Sequence, residues 1–184
     1  MAWALDTTHS LIEFSVKHMM ISTVKGRFKT FAGTLDLDEQ NPAASRVDVT
    51  IDVASIDTGD ANRDGHVRNA DFFDVEKYPQ ATFKSTRVEP LGDDRYRVYG
   101  DLTIRGITRP VTLDVAVEAV ITDLYGKRRA GFSAQTSFNR KDFDLNWNVA
   151  LETGGVLVSD KVAINIEAQA VQVVPQAETA AANA

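Results

Sequence analysis

Three histidines, His9, His18 and His66, are the side chains able to exchange a proton near neutral pH, and the chain has no cysteine. His9 is followed by Ser10. On an extended backbone such neighbours point to opposite faces, which is poor geometry for a nucleophile and its base. The histidines are scattered, without the paired spacing on one element that a zinc site needs. The carboxylates are dispersed over outward strand positions, with no pair set in apolar surroundings for acid–base work. No glycine-rich loop is built to cradle a phosphate. Asp60-Ala-Asn62-Arg-Asp64-Gly65 does match the first six positions of an EF-hand calcium loop, with Val67 at the eighth. The twelfth position is Asp71 where the motif uses a bidentate Glu, and Val47–Val53 before it alternates as a strand rather than forming a flanking helix. A capped, solvated helix start accounts for these acids without a metal. The residues thus give no catalytic set and no metal set, and the chain is not expected to be an enzyme.

Around these residues the chain reads almost throughout as strand. Ile12, Phe14, Val16 and His18 share one face while Glu13, Ser15 and Lys17 share the other. His18 closes the apolar face and can place a polar tip at the mouth of a cavity. Thr23–Asp38 carries Val24, Gly26 and Phe28, then Phe31, Gly33, Leu35 and Leu37, and the change of parity predicts a bulge or bend near Thr30. Val47, Val49, Ile51 and Val53 alternate with polar residues. Strands are also predicted over Ala81–Val88 and Tyr96–Ile104, then on the parities Val111 to Val117, Phe132 to Phe138 and Val162 to Ala168. Arg105-Gly106 is a tight hairpin signal. Asn139–Gly155 reads as a long loop with Phe143, Leu145 and Trp147.

The segment Asp60–Phe83 interrupts this pattern. Asp60 can cap a short helix, Val67, Ala70 and Phe73 fall on one helical face, and Pro79 ends it, biasing Tyr78 toward an extended backbone. Such an element suits a plug or lid over one mouth of a barrel.

Roughly eight antiparallel strands with one apolar face bury that face by closing on themselves, so the expected fold is all-β. Specifically, we expect an extended eight-stranded antiparallel β-barrel with a short helical insertion, with a two-sheet sandwich as the rival. Residues 1–174 form one domain, and the polar, alanine-rich tail from Pro175 to Ala184 is expected to be disordered. A net charge of −6 argues against nucleic acid. No apolar run approaches the ~20 residues of a membrane-spanning helix. The amino-terminal MAWALDTTHS lacks a signal peptide's basic and apolar regions, so the chain as written reads as cytoplasmic, or as periplasmic or secreted if it is a processed form.

Several ordered motifs carry a family resemblance over nearly all of residues 3–172. They are Leu5-Asp-Thr-Thr-His-Ser10 with Phe14-Ser-Val-Lys-His18, then Val24-Lys-Gly-Arg-Phe28 with Gly33. Arg68-Asn-Ala-Asp-Phe-Phe-Asp-Val-Glu-Lys-Tyr-Pro79 follows, then Gly100-Asp-Leu-Thr-Ile-Arg-Gly106 and Thr108-Arg-Pro-Val-Thr112. Asn139-Arg-Lys-Asp-Phe143 and Leu157-Val-Ser-Asp160 complete the set. The chain resembles the YceI-like family of polyisoprenoid-binding, lipocalin-like proteins. The resemblance implies a long internal pore, no cofactor, and a polyisoprenoid or isoprenoid quinone as bound ligand. It also implies a homodimer.

On strand parity, the residues expected to face that ligand are Phe14, Val16, His18, Met20, Phe28, Phe31, Val49 and Ile51. Phe72, Phe73 and Phe83 join them from the central segment and the strand after it. Leu102, Ile104, Leu113, Phe132, Phe138, Trp147 and Ile164 complete the set from the second half. Pattern alone does not separate a hollow barrel from one packed with its own side chains. An enzyme acting on an isoprenoid lipid, with His18 as its polar group, and a calcium-stabilised interaction module are the alternatives.

Overall fold

The structure, a computed structural model, describes residues 1–152 and 154–175, so all of the predicted tail beyond Pro175 lies outside the described residues. Strands β1 (Ala2–Leu5) and β2 (Leu11–His18) are separated by a 3-10 turn at Thr7–His9, and Asp6 accepts from the Thr8 amide to start it. β3 (Ser22–Phe28) and β4 (Phe31–Asp36) meet at the kink anticipated near Thr30. β5 (Arg46–Asp52) continues through another 3-10 turn into the two-residue β6 (Ile56–Asp57). β7 (Gln80–Gly92), β8 (Arg95–Ile104), β9 (Ile107–Thr122), β10 (Arg128–Asn139) and β11 (Lys161–Gln172) run unbroken.

Pairing is antiparallel throughout. β4, β5, β7, β8, β9, β10 and β11 follow in ladder order, and β11 pairs β1, which pairs β4. β11 also pairs β2, which pairs β3, which pairs β6. With β1–β2, β3–β4 and β5–β6 each read as one bent strand, this is a closed eight-stranded up-and-down barrel, and the sandwich is excluded. Each bend lets one long strand follow the barrel's curvature while its apolar parity stays inward.

β7 is longer than the predicted Ala81–Val88. It runs past Pro90 because its ladder to β8 slips twice, between Ser85 and Arg87 and between Pro90 and Gly92, and a bulge tolerates a proline that has no N–H to give. The β8–β9 hairpin turns on Arg105 and Gly106, both left-handed (φ 51° and 71°), as a two-residue primed turn requires.

The helix α1 (Ala61–Arg68) starts where Asp60 Oδ1 accepts from the Arg63 amide at 2.9 Å. It stops at Arg68, so Ala70 and Phe73 are not on its face as the spacing predicted. Asn69 is extended, and the chain then folds back on itself: Phe73 N donates to Val67 O and Val75 N to Arg68 O. Three arginines pin this segment through carbonyl oxygens. Arg68 holds Ala54 O and Ile56 O, Arg63 holds Thr58 O, and Arg105 Nη1 donates to Phe72 O at 2.6 Å.

The barrel's ends differ. The end under α1 gathers the β2–β3 turn, the β8–β9 turn and the 139–160 loop. The opposite end carries the β4–β5, β7–β8 and β9–β10 turns. There Arg129 bridges Asp6 (2.9 Å) and Asp123 (2.7 Å). The Thr8 hydroxyl, then His9 and Arg129, hold the Asp6 carboxyl well below the usual carboxylate range. Arg129, then the Lys127 and Tyr125 amides, lower that of Asp123.

Candidate functional site

The inward faces of the strands do not meet. They surround a cavity of about 840 Å³ that runs between the two ends of the barrel. An eight-stranded barrel has just enough width for its own side chains or one slender ligand, and here the aromatic rings lie along the wall. Phe14, Val16, Phe28, Val49, Ile51 and Leu113 are only half buried although they point inward, because they face the cavity rather than other side chains. Buried clusters brace the wall at three places: Val53, Phe143 and Leu145 at the 139–160 loop, Trp3, Ala130 and Ala170 where β1 closes on β11, and Phe83, Val88 and Val98 between β7 and β8.

Of the expected ligand-facing residues, Phe14, Val16, His18, Phe28, Phe31, Val49, Ile51, Phe83, Leu102, Ile104 and Leu113 all line the cavity from the strands. So do Phe132, Phe138 and Ile164, while Phe72, Phe73 and Trp147 reach it from the segments over the α1 end. Met20 does not. It sits at the tip of the β2–β3 turn, 63% exposed, where Met19 and Met20 both take left-handed backbone (φ 51° and 63°). Inward parity ends with the strand at His18, and the turn carries Met20 off the wall.

The aromatics connect. Phe14 lies 5.7 Å from Phe28, and Phe28 6.2 Å from Phe73, which links the wall to the segment after α1. At the mouth, His66 stands edge-on to Phe72 (5.2 Å) and Trp147 (4.7 Å), and its Nε2 is 2.9 Å from Asp71 Oδ2. Such contacts add to the burial of the rings themselves. His66, Phe72 and Trp147 come from three different stretches and together cover this mouth.

Parity reasoning passed over Arg140, although it continues the face of Phe138. Its side chain is 3% exposed and lines the cavity. Nε donates to Ser159 O (2.9 Å), Nη1 to Leu145 O and to Trp147 O (2.9 Å), and Nη2 to Val158 O (3.3 Å). Burial pulls its pKa down, opposed by Asp160. These donors shape the 139–160 loop that carries Trp147, so Arg140 is a positioning residue. Thr58, Asn62 and Arg63 also line the α1 mouth, and nothing in the apolar pattern of the strands pointed to them.

His9 is far from this mouth, bonded through Nδ1 to Asp6 Oδ2, and the Ser10 hydroxyl donates to Asp6 O, so the two are not set as nucleophile and base. In the EF-hand-like stretch, Asp64 is buried and accepts from the Thr58 amide (2.9 Å) and hydroxyl (2.5 Å), while Asp60 caps α1. Both carboxylates serve the local fold.

The sequence profile of the YceI-like domain family matches residues 3–170. Protein YceI of Escherichia coli O157:H7 is 46% identical over 137 residues, covering 74% of this chain and 71% of that one. The crystal structure of Burkholderia cenocepacia BcnA superposes with a TM-score of 0.79 at 31% identity, over 90% of this chain and 98% of that one. A polyisoprenoid-binding domain from Saccharophagus degradans, described as implicated in plant cell wall breakdown, shares the fold at a TM-score of 0.68 and 18% identity, over 91% of this chain and 97% of that one.

Proposed function

The chain belongs to the YceI-like domain family, and from that premise we propose that it binds a polyisoprenoid lipid or isoprenoid quinone in its pore, to sequester or carry it. The observation that carries this reading is the cavity: about 840 Å³, walled by phenylalanine and aliphatic side chains, running between the barrel's ends. A polyisoprenoid is long, thin and insoluble in water, and such a channel matches its shape and its polarity. Each five-carbon unit transferred from water contributes on the order of 4 kcal/mol, at about 0.8 kcal/mol per carbon. Ordering the tail and immobilising the ligand offset much of this. Tight binding then needs few polar contacts, and the width and length of the pore select the tail.

Organic extraction of the purified protein followed by mass spectrometry tests the reading directly. We expect an isoprenoid in the extract, and a higher melting temperature for the loaded than for the stripped protein. Absence of an isoprenoid, together with no thermal shift on adding one, would sink it. Leu102→Trp adds the site-specific test. Leu102 lines the cavity, so the indole should fill space the lipid uses while the protein stays folded. Thr103→Trp, on the opposite face beside Thr108, is the control. Lipid retained in Leu102→Trp, or loss of its fold, removes Leu102 from the ligand path.

A further inference from the structure

We propose that the pore holds its ligand in one direction, with an oxygen-bearing head group at the mouth under α1 and the tail running to the opposite mouth. This rests on the reading of the pore as a lipid site. The charged side chains that line the cavity are sorted by end. Arg63 and Arg140, with His18 and His66, stand at the α1 end. Asp38, Glu39 and Asp94 stand at the other, among the turns β4–β5 and β7–β8.

Hydrogen bonding sharpens the asymmetry. Arg63 donates Nε to Thr58 Oγ1 (2.8 Å) and Nη2 to Thr58 O (2.9 Å), both uncharged oxygens, so its positive charge has no ion-pair partner among the described residues. The His18 ring and the Asn62 amide make no side-chain hydrogen bond among the described residues. The nearby carboxylates are occupied, Asp64 by Thr58 and Asp71 by His66. This mouth therefore offers donors, and an acceptor oxygen, whether a quinone carbonyl or a phosphate oxygen, is the chemistry that matches them. At the far mouth Asp38 accepts from the Gln40 and Asn41 amides and Glu39 from Arg128. An acceptor head placed there meets acceptors. Two donors stand against this trend: the buried Trp3 indole N–H, which has no partner among the described residues, and the hydroxyl of Tyr96, which lines the cavity beside the β7–β8 turn. A hydrocarbon tail end requires no partner at all.

The chain has two tryptophans, and they fall at opposite ends: Trp147 in the α1 mouth, Trp3 where β1 closes the barrel. A quinone ring quenches an indole close to it, so fluorescence reads the direction. The full-length protein would be titrated with an isoprenoid quinone, a prenyl diphosphate and a headless polyene of the same tail length. We expect the quinone to quench the wild type and to lose that effect in Trp147→Phe, where Trp3 alone emits. Arg63→Gln also releases a clasp on Thr58, which would weaken headed and headless chains alike, so the ratio of headed to headless affinity is the readout, and it should fall about tenfold, the worth of one charge-assisted hydrogen bond. Preference for the diphosphate identifies an anionic head and preference for the quinone a neutral one, and either supports the direction. Quenching that persists in Trp147→Phe, or a ratio that falls with Asp94→Asn rather than Arg63→Gln, places the head at the other mouth and overturns it. Equal affinity for headed and headless chains overturns the head site while leaving the lipid reading intact. Failure of all three to bind overturns both.

Discussion

Gly26 and Gly100 each lie beneath an aromatic ring on the inner face of the barrel, and a methyl group at the two should have different effects. A Cβ at Gly26 would come within 2.3 Å of Phe14 Cζ and otherwise meet only side chains. Phe14 borders the cavity, so its ring has room to swing. Gly26→Ala should fold with a small change in urea midpoint, a narrower pore and reduced lipid content. A Cβ at Gly100 would meet Phe83 at 2.4 Å and also the Lys84 carbonyl oxygen at 2.6 Å. That carbonyl belongs to the β7 backbone beside the ladder's slip, and it has nowhere to go. Gly100→Ala should cost ~1–3 kcal/mol, the range for overpacking, measured by urea denaturation. Equal effects at both sites would show that the cavity does not relieve the strain. The sequence places both glycines within predicted strands, but it does not distinguish a ring from a carbonyl as the neighbour. That depends on a ladder partner many residues away.

At the scale of elements, α1 is an eight-residue helix with little to sustain it but its cap and its arginine clasps. Asp60→Ala removes the carboxylate that accepts from Arg63 N and should lower stability by ~1 kcal/mol, as N-cap losses do. Calcium should not raise the wild-type melting temperature, because Asp64 is committed to Thr58. A stoichiometric micromolar calorimetric signal, abolished in Asp60→Ala, would refute this. The strands were legible because each has one wet face and one dry face, and a period of two then reports the inner wall directly. Val47 to Val53 and Val111 to Val117 are examples. The path of residues 69–79 was not legible. It is held by its own amides folding back on Val67 and Arg68 and by Arg105 from another hairpin, and neither leaves a periodic trace. The β2–β3 turn was hidden for a different reason. Met19 and Met20 adopt left-handed backbone where glycine or asparagine is the usual signal.

For the molecule as a whole, a hollow barrel depends on its seams more than a packed one does. The turn-rich end is fastened by Arg129 between Asp6 and Asp123, carboxyls whose folded pKa values are depressed. Groups of this kind contribute stability that is fully present above the ordinary carboxylate pKa of about 3.9 and is lost as pH falls toward the folded values. The urea midpoint should therefore hold level above about pH 5 and decline below about pH 4. Asp123→Asn should start lower at neutral pH and decline less steeply in acid. Parallel acid limbs for the two proteins would rule out this seam as the source. The same seam governs how the chain reaches its native state. Trp3 pairs with Gln172 and Leu5 with Ala170, so the first strand waits for the last. During synthesis, the ribbon of strands from β1 to β10 must present its apolar side to water until β11 emerges. Contacts of such long sequence separation form slowly, and an unclosed ribbon is the species most prone to aggregate. A lipid supplied during refolding would cover that side early, and the yield of soluble protein should rise with it.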